Sequence, residues 1–338
     1  MGIVGGLDVH RSQITFDYAD DRTGEVMTGQ IGGTRVQLAE WLGRFEGRSD
    51  VRLAFEGCTG WRYVAEELTT AGIEAHMAEP ADTALLRGTK KRAKTDRADA
   101  RHLRVLLTDD RIPESWIPPA HVVETRVLGR LYERMLRDRR EWKQRVHAQL
   151  FQQGTPAVGD LTSETGRRQL AGASLSPAGH RLVAESMGII DELTSRLDGL
   201  RSDLVLIGRT EPGARALQAL WGVGPLLGPI IWAEMGDTRR FRSSTQAVRY
   251  TGLDITVSDS DGNRLPGKLS RQGSPTLRWA LVEAAQHASK RSSPDHAYYQ
   301  ATRVRQGASR AALSVARKHA RRVHHILRRL GDVAFQPS

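Results

Sequence analysis

The sequence predicts an α/β domain followed by a longer, mainly helical region. Short apolar segments typical of strands alternate with helical patterns up to residue 112, two amphipathic stretches occupy the middle, and apolar helical segments separated by glycines follow. The chain has 338 residues and a hydrophobic fraction of 39%, which is enough to form cores and excludes a disordered protein.

The N-terminal region reads as three successive strands, then helix, strand, helix, strand and helix. The first apolar run ends in Asp8, a later one (V-R-L-A-F) ends before Glu56, and the last helix begins near Asp96. The predicted strands cover residues 2–9, 13–19, 24–31, 51–55 and 73–77, and the predicted helices between them start near residues 36 and 61. This order is typical of RNase H-like folds, so we expect a mixed sheet covered by helices.

Prolines end this region, and two amphipathic helices follow. Their apolar residues are spaced by three, four or seven, and a stretch rich in Gly, Ser, Thr and Pro (residues 154–180) separates them. The pattern predicts an antiparallel helical hairpin or coiled coil that serves self-association, or two helices that simply pack on a core. We therefore divide the chain into residues 1–112, an arm at 122–205, and a C-terminal domain at 211–338.

The C-terminal domain opens with Gly222-Val223-Gly224 between two apolar helical segments. Such a turn is found in helix-hairpin-helix motifs, where glycines let backbone N–H groups approach a phosphate, and it is also found in ordinary helix turns.

The net charge of +11 is concentrated in two segments. Residues 87–104 hold eight Lys or Arg against two Asp, and residues 301–338 hold nine against one, which leaves the rest slightly acidic. A GC-rich genome explains why Arg outnumbers Lys but not the clustering, so we expect a nucleic-acid partner.

Several classes of protein are excluded at this stage. A single cysteine, Cys58, rules out a disulfide framework. No apolar run reaches the ~20 residues of a membrane span, and the N-terminus lacks a signal-peptide pattern, so we expect a cytoplasmic protein without a membrane partner.

Four carboxylates stand where a metal site could form. Asp8 and Glu56 follow strands, and Asp96 and Asp99 lie three residues apart on one helix face. Converging carboxylates suit a pair of Mg²⁺ ions in phosphoryl transfer. Each also has a plainer interpretation: Asp8 as a turn residue, or Asp96 as a helix cap.

Short motifs along the chain resemble the insertion-sequence-110 family of transposases, which are DEDD recombinases guided by a bridge RNA. The resemblance covers nearly the whole chain in order, through G-L-D-V-H (6–10), F-E-G-C-T-G (55–60), K-T-D-R-A-D-A (94–100), L-W-G-V-G-P (220–225), E-M-G-D-T-R-R-F (234–241), Y-T-G-L (250–253) and L-S-R-Q-G-S-P-T-L-R (269–278).

The resemblance implies a RuvC-like domain of RNase H fold that binds Mg²⁺, with two ions expected, through Asp8, Glu56, Asp96 and Asp99. It further implies a nucleophilic serine seven residues after Leu253, which is Ser260. Because Asp261 and not glycine follows, Ser258 is a second candidate, and a plain hairpin turn is the alternative for this segment.

The resemblance also implies that the protein binds donor DNA, target DNA and a bridge RNA. It implies a homo-oligomer, either a dimer or a tetramer, in which the serine of one protomer works with the carboxylates of another. Two other classes stay open: a Mg²⁺-dependent Holliday-junction endonuclease without covalent intermediate, and a non-catalytic nucleic-acid scaffold.

The basic side chains expected to contact nucleic acid fall in the two charged segments. They are Lys90, Lys91, Arg92, Lys94 and Arg97 beside the predicted metal site, and Arg310, Arg317, Arg321 and Arg328 on one helix stripe. We expect His319, His324 and His325 to lie on that helix's surface.

Overall fold

The structure is a computed structural model that describes residues 2–87, 95–255, 258–260, 263–265 and 267–337. The chain forms two compact units, residues 1–117 and 118–338. The predicted Lys90, Lys91, Arg92 and Lys94 lie outside the described residues.

The N-terminal unit is built on a five-stranded sheet of order β3-β2-β1-β4-β5. β1 is antiparallel to β2 and parallel to β4, and β4 is parallel to β5. The strands are β1 (Ile3–Val9), β2 (Gln13–Asp20), β3 (Glu25–Gly32), β4 (Val51–Glu56) and β5 (Glu74–Ala78). All five strands predicted from the sequence are confirmed, because each is a short apolar run bounded by turn residues.

The helices described in this unit are α1 (Arg35–Leu42), α2 (Trp61–Thr70), α3 (Pro80–Leu86) and α4 (Asp96–Thr108), and α1, α2 and α4 pack on the sheet. One core contains Leu7, Leu53 and Phe55 beneath α1 and α2. The other contains Val4, Ala54 and Leu103 beneath α4. The two faces of β1 and β4 are thus both buried, which is why these strands read as continuous apolar runs.

Close packing of α4 on β1 depends on Gly6. A Cβ at this position would lie 2.1 Å from the carbonyl oxygen of Ala100 and 2.7 Å from the amide nitrogen of Arg104. Arg104 also pairs with the buried Asp17 of β2. These contacts fix the position of α4 over the centre of the sheet.

The second unit begins with two long helices, α5 (Ala120–Gln152) and α7 (Pro177–Thr210), which pack against each other. The buried residues of α7 recur at spacings of four, three, seven and seven: Val183, Met187, Ile190, Leu197 and Leu204. The stretch between the helices contains α6 (Glu164–Ala171), which the sequence reading missed, and its Leu161 and Leu170 pack on the hairpin's end. Leu131 of α5, one of the apolar residues that follow this spacing, is nevertheless 42% exposed. The self-association role and the three-part division stay predictions.

Among its described residues, the C-terminal region contains helices and one antiparallel strand pair. Its elements are α8 (Pro212–Leu217), α9 (Leu227–Met235), α10 (Ser244–Tyr250), β6 (Ser258–Ser260), β7 (Asn263–Leu265), α11 (Pro275–Gln286), α12 (His296–Gln306) and α13 (Ala308–Leu330). The buried Glu234 of α9 accepts hydrogen bonds from Arg130 of α5 at 2.6 and 3.0 Å, which ties the long hairpin to this region. In the described ranges, no helix is long and apolar enough to cross a bilayer.

Gly222 lies in the turn between α8 and α9. Its φ is +84°, and a Cβ there would be 2.3 Å from the carbonyl oxygen of Ala284 on α11. Both the left-handed backbone and the close approach therefore require glycine. Gly224 has no neighbouring atom within 4 Å of a built Cβ, so its backbone faces open space.

The expectation of three surface histidines on α13 is wrong for two of them. His319 and His324 are 1% and 2% exposed, and only His325 is exposed. α13 packs against α10, α11 and α12, so it is surrounded on more sides than the amphipathic pattern of an outer helix suggests.

Acid sensitivity follows from the burial of His319. Desolvation lowers its pKa to about 4, helped by the charge of Arg322, and its Nδ1 has no hydrogen-bond partner in the part of the chain that the structure describes. The unfolded chain takes up this proton near pH 6.5 and the folded chain near pH 4, so stability falls as the pH drops between them, by up to about 3 kcal/mol. We expect His319→Leu to reduce the pH dependence of the free energy of unfolding between pH 6.5 and 4, as measured by urea denaturation.

The exposed His180 provides the control. His180→Leu should leave the pH slope of the wild type unchanged. If His319→Leu retains that slope too, the side chain is not held neutral by burial.

Candidate metal and DNA-processing site

The candidate carboxylate site lies where β1 ends beneath the start of α4. Residues two apart on a strand share a face, so Asp8 points to the same side as Gly6, where α4 packs. Asp96 is the first residue of α4 and Asp99 lies one turn on. The helix cap is supplied by Thr95, whose side chain accepts a hydrogen bond from the Ala98 amide at 3.2 Å. Asp96 is therefore not needed as the cap.

Asp8 and Asp96 are joined by two side chains that the sequence reading did not select. His10 Nε2 lies 3.2 Å from Asp8 Oδ2 and 3.8 Å from Asp96 Oδ1. Gln13 Nε2 donates to Asp96 Oδ2 at 2.9 Å. Ligand atoms of Asp8, His10 and Asp96 all lie within 4.8 Å of one another, which is close enough to share one cation.

Glu56 and Asp99 are joined by a third missed side chain, Arg87. Its guanidinium is paired with Asp99 and lies 3.7 Å from Glu56 Oε1. Arg87 is the C-cap residue of α3, and this helix was not predicted from the sequence either.

The raised pKa of Asp8 indicates that Asp8, Asp96 and Asp99 lie close enough to repel one another. Burial raises the pKa of Asp8, His10 counteracts that rise, and the charges of Asp99 and Asp96 raise the pKa further. Asp8 therefore feels both carboxylates of α4, and a cation at this point would relieve the repulsion.

The residues fit a divalent metal. Their donor set is dominated by carboxylate oxygens, which hard divalent ions prefer, and the Arg87 guanidinium supplies positive charge between Glu56 and Asp99 in the structure. Asp8, Glu56, Asp96 and Asp99, all expected from the sequence, would hold the ion or ions.

A separate candidate region is the β6–β7 hairpin, which belongs to the other unit. Ser258 pairs with Leu265, and Ser260, the last residue of β6, pairs with Asn263. Both serine candidates thus lie in one strand, and Ser260 is nearer the turn. The antiparallel pairing of β6 with β7 agrees with the hairpin alternative, and the choice of nucleophile stays a prediction.

The base of the hairpin is formed by two of the motifs found in the sequence, Y-T-G-L and L-S-R-Q-G. The Ser270 amide donates to the Asp254 carbonyl at 3.0 Å, and the Arg271 amide donates to the Gly252 carbonyl at 3.2 Å. A Cβ at Gly252, whose φ is +69°, would lie 2.0 Å from the Gln272 carbonyl oxygen. The glycine lets the two strands of this base approach.

Two arginines hold that base to neighbouring helices. Arg317 of α13 donates through Nε to the Leu253 carbonyl at 2.6 Å. Arg278 of α11 donates to the Thr251 carbonyl at 3.2 Å. Burial lowers the pKa of both guanidinium groups, since each is partly removed from water.

The predicted nucleic-acid contacts of the second basic segment have different environments. Arg310, Arg321 and Arg328 are exposed, whereas Arg317 is half-buried. Arg328 also donates to the Phe241 carbonyl at 3.0 Å. In the first segment, Arg97 is exposed on α4, one residue after Asp96. Contact of these side chains with nucleic acid stays a prediction.

Two transposase family models match this chain, one in its N-terminal part and one in its C-terminal part. One family model, described as a DEDD transposase of IS110 type, matches residues 5–154. A second, described as the IS116/IS110/IS902 family of transposases, matches residues 214–300 and includes the β6–β7 hairpin.

Individual relatives are similar over much of the chain. A sequence named as a transposase, y4rJ, of Sinorhizobium fredii is 26% identical over 66% of this chain, and the match spans 62% of the relative's length. A family 20 transposase of Pseudomonas aeruginosa is 23% identical over 84% of this chain and 86% of its own. The transposase of insertion sequence element IS1111A from Coxiella burnetii is 27% identical over 35% of this chain and 34% of its own. The chain belongs to the IS116/IS110/IS902 family of transposases.

Proposed function

We propose that this protein is the recombinase of a mobile insertion sequence, which cleaves and exchanges DNA strands in a Mg²⁺-dependent, serine-linked reaction. The observation that carries the proposal is the convergence of Asp8, Asp96 and Asp99 where β1 meets α4, with Glu56 linked to Asp99 through Arg87. The sheet order supports a RuvC-like member of the RNase H class, because Asp8 and Glu56 lie at the ends of the neighbouring strands β1 and β4.

The carboxylates would hold the metal and so define where a DNA phosphate is bound. When bound there, a divalent metal would supply charge neutralisation at the phosphate and activation of the attacking oxygen. Asp8, Glu56, Asp96 and Asp99 fix that position, and Gln13 orients Asp96. A cavity of about 510 Å³ opens beside His10 and Arg11, at the end of β1.

Ser260 is the proposed nucleophile. Its oxygen forms a bond to phosphorus while the bond from phosphorus to one deoxyribose oxygen breaks. The serine gives up its proton to solvent, and the leaving oxygen takes one up. The phosphoserine link conserves the phosphodiester for strand exchange. Arg317 and Arg278, through their backbone contacts, hold the hairpin that presents this residue.

Following the family resemblance, we assign the choice of target DNA to a bridge RNA. The active form is a homo-oligomer in which the serine of one protomer acts together with the carboxylates of another. The exposed Arg310, Arg321 and Arg328 suit contacts with DNA or RNA phosphates because their guanidinium groups can pair bidentately.

A covalent-capture assay tests the proposal. The full chain is incubated with Mg²⁺, element-end DNA and RNA transcribed from the sequence flanking the gene, and adducts are separated on a denaturing gel. We expect an adduct for wild type and Ser258→Ala and none for Ser260→Ala.

The other outcomes identify the alternatives. Loss of the adduct only in Ser258→Ala moves the nucleophile to Ser258. Metal-dependent cutting without an adduct in any variant supports a junction endonuclease. DNA binding without cutting or metal uptake supports a scaffold, and an adduct formed equally without RNA contradicts RNA guidance.

A further inference from the structure

His10 occupies a fixed position at the end of β1. Its backbone amide donates to the Gln13 carbonyl at 2.9 Å, which closes the tight turn between β1 and β2. Residues 8 and 10 are two apart, so the imidazole lies on the same side of the sheet as the Asp8 carboxylate. The ring is half exposed, and an ion can reach it from solvent.

One nitrogen atom of His10 faces two carboxylates. Nε2 lies 3.2 Å from Asp8 Oδ2 and 3.8 Å from Asp96 Oδ1. Gln13 engages the other oxygen of Asp96, Oδ2, at 2.9 Å, which leaves Oδ1 for the histidine side. A histidine that served only to hydrogen-bond Asp8 has no need of the second carboxylate.

These separations are compatible with ligands of one cation. In an octahedral site with bonds of about 2.1 Å, adjacent ligands lie about 3 Å apart and opposite ligands about 4.2 Å apart, and the observed 3.2 and 3.8 Å fall between these values. The three ligand atoms lie within 4.8 Å of one another, as a shared ion requires.

We propose that His10 is a metal ligand, and that it gives the Asp8–Asp96 half of the site a preference for Mn²⁺ over Mg²⁺. The inference rests on the proposed function, since it concerns the same carboxylates. Mg²⁺ favours oxygen ligands, whereas imidazole nitrogen suits first-row transition metals. Among the described residues, Glu56 and Asp99 offer carboxylate oxygens whereas His10 offers a nitrogen, so the two halves differ in chemistry.

The preference has a measurable size. In titrations of the full chain without nucleic acid, we expect Mn²⁺ to bind at least about 10-fold more tightly than Mg²⁺. His10→Asn should weaken Mn²⁺ binding by about 10-fold and change Mg²⁺ binding much less. Asparagine can still donate a hydrogen bond to Asp8, so a merely structural role of His10 predicts similar affinities before and after the change.

Pulsed electron paramagnetic resonance on the Mn²⁺-loaded full chain tests ligation directly. We expect a directly bound histidine nitrogen coupling in the wild type, which changes with ¹⁵N-histidine labelling and disappears in His10→Asn. His76→Asn is the matched control, because His76 also contacts two carboxylates, Glu114 at 2.7 Å and Glu74 at 3.2 Å. This variant should retain the coupling.

Asp8→Asn separates failure of the inference from failure of the proposed function. If Asp8→Asn removes Mn²⁺ while the wild type shows no histidine coupling, His10 is not a ligand and the carboxylate site stands. If Asp8→Asn binds Mn²⁺ as the wild type does, the carboxylate site is itself wrong. A coupling lost in His76→Asn instead overturns the assignment to His10.

Discussion

Replacing Asp8 by asparagine should lower the rate of metal-dependent DNA strand cleavage by at least about 10³-fold. A neutral amide at the centre of the carboxylate group removes a metal ligand and several kcal/mol of charge stabilisation at the reacting phosphate. Single-turnover cleavage of end-labelled element DNA at saturating protein measures the effect. Binding of the same DNA, followed by fluorescence anisotropy, should change little, because the loss concerns the reaction step.

The matched control is Asp21→Asn, the same chemical change at an exposed turn between β2 and β3. It should cleave at the wild-type rate. Equal rates for Asp8→Asn and Asp21→Asn contradict a catalytic metal at this position.

The second large effect is expected from Gly6→Ala. The added methyl group overlaps the Ala100 carbonyl at 2.1 Å and the Arg104 amide at 2.7 Å, and helix backbone cannot rotate away as a side chain can. We expect a loss of about 3 kcal/mol in the stability of the N-terminal unit. Displacement of α4 also moves Asp96 and Asp99 away from Asp8, so Mn²⁺ binding should weaken at the same time.

Hydrogen–deuterium exchange resolves this prediction by element. Amides of β1 and α4 should exchange faster in Gly6→Ala, whereas those of α13, in the other unit, should not. Gly43→Ala is the control in the same unit: its φ is −54° and nothing lies within 4 Å of a built Cβ. If the amides of β1 and α4 are as well protected from exchange in Gly6→Ala as in Gly43→Ala, α4 accommodates the methyl group without loss of stability, and the prediction is wrong.

Local sequence patterns were enough to locate most elements. Buried strands such as V-R-L-A-F in β4 are apolar and bounded by polar residues, and the long helices α5 and α7 repeat their apolar positions over many turns. The helices α3 and α6 were missed because, at seven and eight residues, each is about two turns long and has little room for a periodic pattern.

The candidate site was predictable only in part. Asp8 and Glu56 lie at the ends of β1 and β4, and Asp96 and Asp99 share one face of α4. Because these positions can be read from the sequence, we could expect the four carboxylates to lie close together. Gln13, His10 and Arg87 gave no such signal. Gln13 contacts a residue 83 positions away, and a contact of that kind depends on how α4 lies on the sheet.

The sequence by itself determined the order of the five N-terminal strands and of α1, α2 and α4 among them, the four candidate carboxylates, the two basic segments and the family. These depend on residue type and on spacing within one element, which local chain geometry fixes. Only the tertiary structure decided which side chains surround the carboxylates, that Arg317 supports the serine hairpin, and that His319 is buried. Such properties depend on which element covers which face, because close packing brings together residues that no local spacing relates.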